Sequence, residues 1–412
     1  MTYVIVGAGP AGVAAAETLA KTAKGSEIIL VGGEPEPPYS RMAIPYVLTG
    51  SVGEDGTYLR KTENWYEDRN IRYIHGRAES LSTGDSALRL ARGEEMKFEK
   101  LLISTGARPI KPPVPGLDLE GVHHCWTLED VRNIKGLTGE GKDVILIGAG
   151  FIGSIILEAL LESGSNLTVV EAEDRMVPRM MNQVAGNMIK AWCEKKGVTV
   201  LTSTRVAGVA QADGGRLEVD LGGNKKTVDL VVVAAGVKPN ADFLEGSGIE
   251  VEDGILVDNH LKTSADNVYA AGDCAKGPDY SGGWSVHAIQ PTAVEHGRIA
   301  ALNMAGQVTP YKGSLQMNVL DTAGLISTSV GLFDGVEGGE EAEDLNEQRF
   351  KYIRLTFKGD YMIGALTLGR TDQVGVLRGL IHTPVSLGPW KQKLMADPAK
   401  FVEAYIDRTQ VI

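Results

Sequence analysis

Cysteine is scarce in this chain: Cys125, Cys193 and Cys274 are the three in 412 residues. None belongs to a CxxC or CxxxxC pair, so neither a local redox dithiol nor a disulfide framework is expected, and the sequence reads as intracellular. Positive charge is the minority, 41 Lys and Arg against 53 Asp and Glu, for a formal net charge of −12. Nucleic acid and anionic membrane surfaces both demand clustered cations, so the balance argues against either partner and suits one bearing a basic patch. Long apolar runs are missing too. The longest, from Val144 to Leu157, carries three glycines and opens as a strand, so it reads as strand-turn-helix and no membrane span is expected. Met1 leads straight into Thr2–Val6, which leaves no room for a signal peptide and makes a cytoplasmic location the expectation. The one adjacent histidine pair, His123-His124, would point to opposite faces of a strand, so no metal site is expected there.

Glycine, by contrast, is abundant at 51 residues, and its placement is informative. Residues 2–34 run as an apolar strand, Gly7-Ala8-Gly9-Pro10-Ala11-Gly12, an Ala-rich helix to about Thr22, and a second apolar strand leading to Glu34. Residues 143–171 repeat the design with Gly148-Ala149-Gly150-Phe151-Ile152-Gly153, a helix through Leu161, and Leu167–Val170 ending in Glu171. In such a unit the first glycine permits the tight turn, the second lets backbone approach a pyrophosphate, and the third lets helix and strand pack closely. The phosphates then meet the free amides of the helix N-terminus. The acids Glu34 and Glu171 are placed to accept ribose hydroxyls. A carboxylate at 171 favours NADH, because it would repel a 2′-phosphate; Arg175, four residues on, leaves NADPH as the alternative.

A length of 412 residues allows two or three domains. The Pro-rich stretch 109–116 looks like a connector, and Leu230–Gly236 like the last strand of the second unit. Beyond residue 310 the pattern turns to antiparallel strands, Tyr352–Phe357 and Tyr361–Leu366 about a turn at Lys358-Gly359-Asp360. Between Asp334 and Glu347 lie seven acids and no base, read as a solvated loop, with a docking surface for a basic partner as the alternative.

With both loops, Ile103-Ser104-Thr105-Gly106-Ala107-Arg108-Pro109 and Val268-Tyr269-Ala270-Ala271-Gly272-Asp273, the sequence resembles the pyridine nucleotide-disulfide oxidoreductase superfamily in its FAD/NAD(P)-binding form. The resemblance covers nearly the whole chain. It implies an α/β fold with two Rossmann-like dinucleotide-binding domains, for FAD and NAD, plus a smaller α+β C-terminal domain. The implied division is FAD-binding 1–110 and 241–310, NAD(P)H-binding 111–240, and an interface domain 311–412. It further implies that Thr105, Gly106 and Asp273 meet FAD, with Asp273 on the ribityl chain. Gly33 and Gly236 flank the two nucleotides, and Ala78 matches a backbone position near the adenine. Pro38-Tyr39-Ser40-Arg41 is similar to a segment of ferredoxin and rubredoxin reductases, which would bring Arg41 to the FAD phosphates. Trp284–Gln290 resembles a segment beside the flavin, making His287 and Gln290 catalytic candidates, with a structural His287 equally open.

The chain also departs from its relatives. Met42 stands where the disulfide-reducing branches place a reactive cysteine, and a thioether forms neither thiolate nor disulfide. The Lys and Glu that ferredoxin reductases pair near the flavin correspond to Tyr46 and Ile155. Loss of both is physically sensible, since one buried charge left alone costs about 3–5 kcal/mol. Glu158, one turn on from Ile155, could restore a carboxylate or could simply face solvent. The expected activity is that of an FAD-dependent NAD(P)H oxidoreductase. A small iron–sulfur carrier of ferredoxin or rubredoxin type leads as acceptor. Direct reduction of dioxygen or a quinone, and a nucleotide-sensing interaction subunit, are the alternatives. The third domain of such enzymes forms either a dimer interface or a partner-docking face, so a homodimer stays open.

Overall fold

The computed structural model describes residues 1–409 and divides into two compact units, 1–47 with 52–108 and 237–314, and 48–51 with 109–236 and 315–412. In the first, five parallel strands run in the order Val268–Ala270, Lys100–Ile103, Thr2–Val6, Glu27–Gly32, Ile71–His75. The inner strands are short, β-branched or Leu-rich and apolar on both faces, as a sheet covered on both sides requires, while the edge strand Ile71–His75 exposes Arg72 and His75. Val4, Ile5, Leu30, Leu101, Leu102 and Ile103 are fully buried. One edge strand of this sheet comes from residues 268–270, so the unit closes only when the chain returns to it.

Helices Pro10–Thr22 and Gln290–Met304 cover this sheet and touch through small residues. Ala11, Ala15 and Ala16 of one and Ala293, Ala300 and Ala301 of the other are all buried. At Gly297 a methyl group would strike the carbonyl of Ala11.

The second unit has its own parallel sheet, Thr199–Leu201, Asn166–Val170, Asp143–Ile147, Leu230–Val233, Val122–His123, and an antiparallel excursion over 208–228. Residues 315–409 add a five-stranded antiparallel sheet in the order Met317–Thr322, Leu325–Gly331, Tyr361–Leu368, Lys351–Lys358, Glu340–Asn346, with three helices following. Ile353, Leu355, Phe357 and Leu377 form its core. Among the described residues no helix is long and apolar enough to cross a membrane, and no group of three or more His, Cys, Asp or Glu could hold a metal ion.

One expectation is corrected. The acidic stretch 334–347 is in part a strand, because Glu340–Asn346 pairs antiparallel with 351–358 at the sheet edge. An edge strand tolerates charge on its open side. The acids are moreover matched within the chain, Glu340 to Lys391, Glu341 to Arg354 and Asp344 to Arg370. Composition alone hid this, since the bases lie ten or more residues away.

The Gly297 contact gives a direct test. Alanine is better than glycine in a helix interior by about 1 kcal/mol, while overpacking typically costs about 1–3 kcal/mol. Because the obstacle is backbone, Gly297→Ala should lower stability by up to about 2 kcal/mol net in urea unfolding. A stabilised variant would mean the two helices can part at no cost.

Candidate functional site

The two Gly-rich loops have matching geometry. Gly7 turns at φ +109°, and its N–H donates to the Val31 carbonyl at 2.8 Å. Gly148 turns at φ +99°, and its N–H donates to Val170 at 2.8 Å. A Cβ on Gly7 would strike the Ser104 carbonyl, and one on Gly148 the Ala234 carbonyl. The third glycines, Gly12 and Gly153, press on the carbonyls of Gly7 and Gly148. Only the middle glycines, Gly9 and Gly150, face open space, with nothing within 4 Å of where a Cβ would stand. That is the shape an approaching pyrophosphate needs.

The helices that follow start uncapped, as helices 290–304, 374–382 and 389–396 also do, so it is the glycine turn ahead of each that sets these two apart. Neither Gly9 nor Gly150 supplies a side-chain cap, and neither first turn contains an acid. Helix N-termini ordinarily recruit both. Here the positive ends and their amides are left to an external anion. Pro10, Ala11, Phe151 and Ile152 form these first turns.

The acids differ between the units. Glu171 is buried at 7% exposure, its carboxylate accepting the N–H groups of Ala149 at 2.7 Å and Glu173 at 2.9 Å. It therefore braces the second loop as well as closing its strand. Glu34 lies three residues beyond Val31, accepts from the Tyr39 hydroxyl and is ion-paired with Arg41. The sequence reading sends Arg41 to a phosphate and Glu34 to a ribose; the structure joins the two to each other. Arg175 is held inside its own loop, donating to the carbonyls of Met181 at 3.0 Å and Pro178 at 3.1 Å and pairing with Asp174. Its guanidinium is thus occupied by backbone, which removes the main argument for a 2′-phosphate.

Thr105 and Gly106 are clasped by Asn240. The Thr105 hydroxyl donates to the Asn240 carbonyl at 2.7 Å, Asn240 Nδ2 to the Thr105 carbonyl at 2.9 Å, and the Asn240 N–H to Gly106 at 2.9 Å. Gly33 accepts from Arg77 Nε at 3.2 Å, and Ala78 opens the next strand. Gly236, at φ +109°, accepts the Ile110 N–H. Burial pushes the Asp273 carboxyl up to about 6 against the pull of Arg41. Gln290 accepts the Ser40 hydroxyl, tying the Arg41 segment to the start of helix 290–304. His287 lies 2.9 Å from Asp279, whose carboxyl is held far below its usual range against desolvation by hydrogen bonds from His287, Ser281 and Ser285. Glu158 belongs to the second unit, where desolvation, Asp321 and Glu162 raise its pKa.

Sequence reasoning missed Asp279, Asn240 and Ser40. The polar spacing Asp279-x-Ser281-x-x-x-Ser285-x-His287 was a legible signal for the first. No local signal reveals Asn240, which meets a turn 135 residues away in the chain. The three cysteines are buried and free; burial drives Cys125 and Cys193 up to about 12 and raises Cys274 as well.

Asp273 carries a pH-dependent expectation. A carboxyl whose folded pKa of about 6 exceeds its unfolded value binds protons preferentially in the folded state. Folded-state stability therefore rises as pH falls through 6 toward 4, and the ionised group is a burden above 6. In the cofactor-free protein Asp273→Asn should be more stable than wild type by about 1–3 kcal/mol at pH 7.5, the difference closing by about pH 4 in urea titrations. A wild type more stable than the variant at pH 7.5 would show that Arg41 outweighs burial.

The family of pyridine nucleotide-disulphide oxidoreductases matches residues 1–297. The epsilon subunit of the NADH-dependent phenylglyoxylate dehydrogenase of Aromatoleum evansii is 31% identical over 400 residues, 96% of this chain and 95% of that one. The rubredoxin-NAD(+) reductase of Pseudomonas putida is 28% identical over 93% of this chain and 100% of its own length. Among solved structures, a ferredoxin reductase of Rhodopseudomonas palustris is 27% identical with a TM-score of 0.85, covering 93% of this chain and 95% of that one. A chain of a covalent putidaredoxin reductase–putidaredoxin complex reaches a TM-score of 0.90 over 100% of this chain and 99% of its own, at 22% identity, a likeness of fold alone. With two cradles of one geometry and a match across most of its length, the chain belongs to the pyridine nucleotide-disulphide oxidoreductase family.

Proposed function

We propose that the chain moves reducing equivalents from NADH, bound at the second loop, through FAD, bound at the first, to a small iron–sulfur carrier protein of ferredoxin or rubredoxin type. The observation that carries this reading is the pair of uncapped helix N-termini, each facing open space past its middle glycine. FAD when bound supplies the conversion between a two-electron hydride donor and one-electron carriers. The chain's own part is positioning. The Ala11 and Gly12 amides that open the first helix would receive the FAD pyrophosphate, Glu34 and Arg41 its ribose and phosphate end, and Asp273 its ribityl hydroxyls. The Ile152 and Gly153 amides that open the second helix would receive the NADH pyrophosphate, and Glu171 its ribose hydroxyls.

His287 and Gln290 are proposed as the polar groups beside the flavin, and Glu158 as the carboxylate of the nicotinamide side. The division into an FAD-binding domain of 1–110 and 241–310, an NAD-binding domain of 111–240 and an interface domain of 311–412 belongs to the same proposal. It is supported by the separate sheets.

The external acceptor is supported by the thiol chemistry. Met42 replaces a nucleophilic cysteine, and the three cysteines present are buried with raised pKa values. It is supported also by the named activities of the P. putida and R. palustris relatives. The A. evansii relative favours a second form of the same reading, in which the carrier is a resident subunit of a larger assembly. A cytoplasmic setting, where NADH is supplied, completes the proposal.

The purified chain should be yellow or take up FAD, bleach under anaerobic NADH at about one equivalent, and respond more weakly to NADPH. Arg175→Ala should leave the NADH-to-NADPH ratio unmoved. Reduced enzyme should pass electrons to a ferredoxin or rubredoxin faster than to dioxygen. A colourless preparation that FAD cannot reconstitute would sink the proposal. Oxidation by dioxygen or quinone alone would move the acceptor to the small-molecule reading.

A further inference from the structure

Helix Gln290–Met304 carries a histidine, His296, that is only 2% exposed. Its two ring nitrogens are used unequally. Nδ1 accepts the backbone N–H of Gly272 at 3.4 Å, while Nε2 is buried with no partner among the described residues. The ring stands perpendicular to Tyr311, centroids 4.5 Å apart. A backbone N–H can only donate, so Nδ1 must present its lone pair and the single ring proton sits on Nε2. Burial, with His287 nearby, lowers the pKa to about 4, which keeps the ring neutral at physiological pH. A histidine kept only for packing would be expected to place its N–H on an acceptor. This one leaves its N–H unmet and spends its acceptor on one amide.

That amide is at a demanding place. Gly272, at φ +76°, opens the turn Gly272–Cys274 that follows the strand Val268–Ala270 and carries Asp273. A Cβ at Gly272 would come within 3.2 Å of the Ala11 side chain and 3.4 Å of Ala293, so the turn is wedged between the two helices. Ala11 belongs to the first Gly-rich loop and Ala293 to the helix of His296. Near the ring stand His287 from the 284–289 segment and Tyr311, whose hydroxyl bonds Ser314, itself bonded to Thr292 at 3.2 Å.

We propose that His296 is a positioning residue for FAD: its Nδ1 holds the Gly272 amide and so fixes the turn that aims Asp273 at the cofactor. This rests on the reading of the first unit as the FAD site.

The test compares wild type with His296→Asn, whose amide oxygen can occupy the place of Nδ1, and His296→Leu, which fills the space without an acceptor. FAD affinity is measured by fluorescence titration of the cofactor-free proteins at pH 7.5, with their urea midpoints alongside. His296→Leu should weaken FAD binding about tenfold or more, and His296→Asn no more than about threefold, with cofactor-free stabilities alike. A Leu variant that binds FAD as tightly as wild type overturns the proposal, as do variants whose affinity merely follows their urea midpoints. Should the Leu variant not fold, nitrogen-15 NMR of the wild-type ring decides: the proton on Nε2 supports the proposal, and the proton on Nδ1 overturns it. A wild type that takes up no FAD instead overturns the parent reading.

Discussion

Two helices in this chain begin just past glycines at which a Cβ would collide with carbonyls at the ends of neighbouring strands, and that closeness governs what surrounds them. A side chain on Gly7, Gly12, Gly148 or Gly153 would meet backbone, which has no rotamer to swing aside. The absence of side chains brings helix and strand together. The absence of a cap then leaves the helix's positive end unsatisfied by the protein itself. An anion is the natural complement, and the open space at Gly9 and Gly150 is where it can arrive.

The surroundings of the first loop follow from the same constraint. Because helix Pro10–Thr22 is drawn so close to its strand, its outer face is left for helix Gln290–Met304, and small residues line both sides of the contact. The turn at Gly272 must thread between them, which forces a left-handed residue there and sets Asp273 in an enclosed position that raises its pKa. Cys274 then falls inside, with its thiol against the carbonyls of Ile103 and Ala271. Cys274 is thereby a packing residue.

What could be read from the sequence is what depends on short spacing. The glycine patterns, the strands that flank them and the acids that close them all lie within about one strand-turn-helix length, so local sterics are enough to infer them. The edge strand Glu340–Asn346 was illegible because its stability depends on partners elsewhere, Arg354, Arg370 and Lys391, and charge counted along the chain cannot anticipate charge matched across a sheet. The Thr105–Asn240 clasp was hidden for the same reason. Arg41 and Glu34 are only seven residues apart, yet their pairing competes with the ligand contacts that the resemblance implied for each.

The matched edge strand also bears on how an acidic chain could meet an acidic carrier. A net charge of −12 would oppose such an encounter if it acted as a single field. At physiological ionic strength, however, exposed charges are screened over about 8 Å, so what a partner meets is the local balance at the contact. In the stretch where acids are densest along the chain, three of them are already bound to bases. Near the first loop, the segment that carries Arg41 exposes the uncharged Met42 and Tyr46. The total charge therefore says little against an iron–sulfur acceptor, and the exchange of a reactive thiol for Met42 removes a competing outlet while adding no charge that a carrier would have to desolvate.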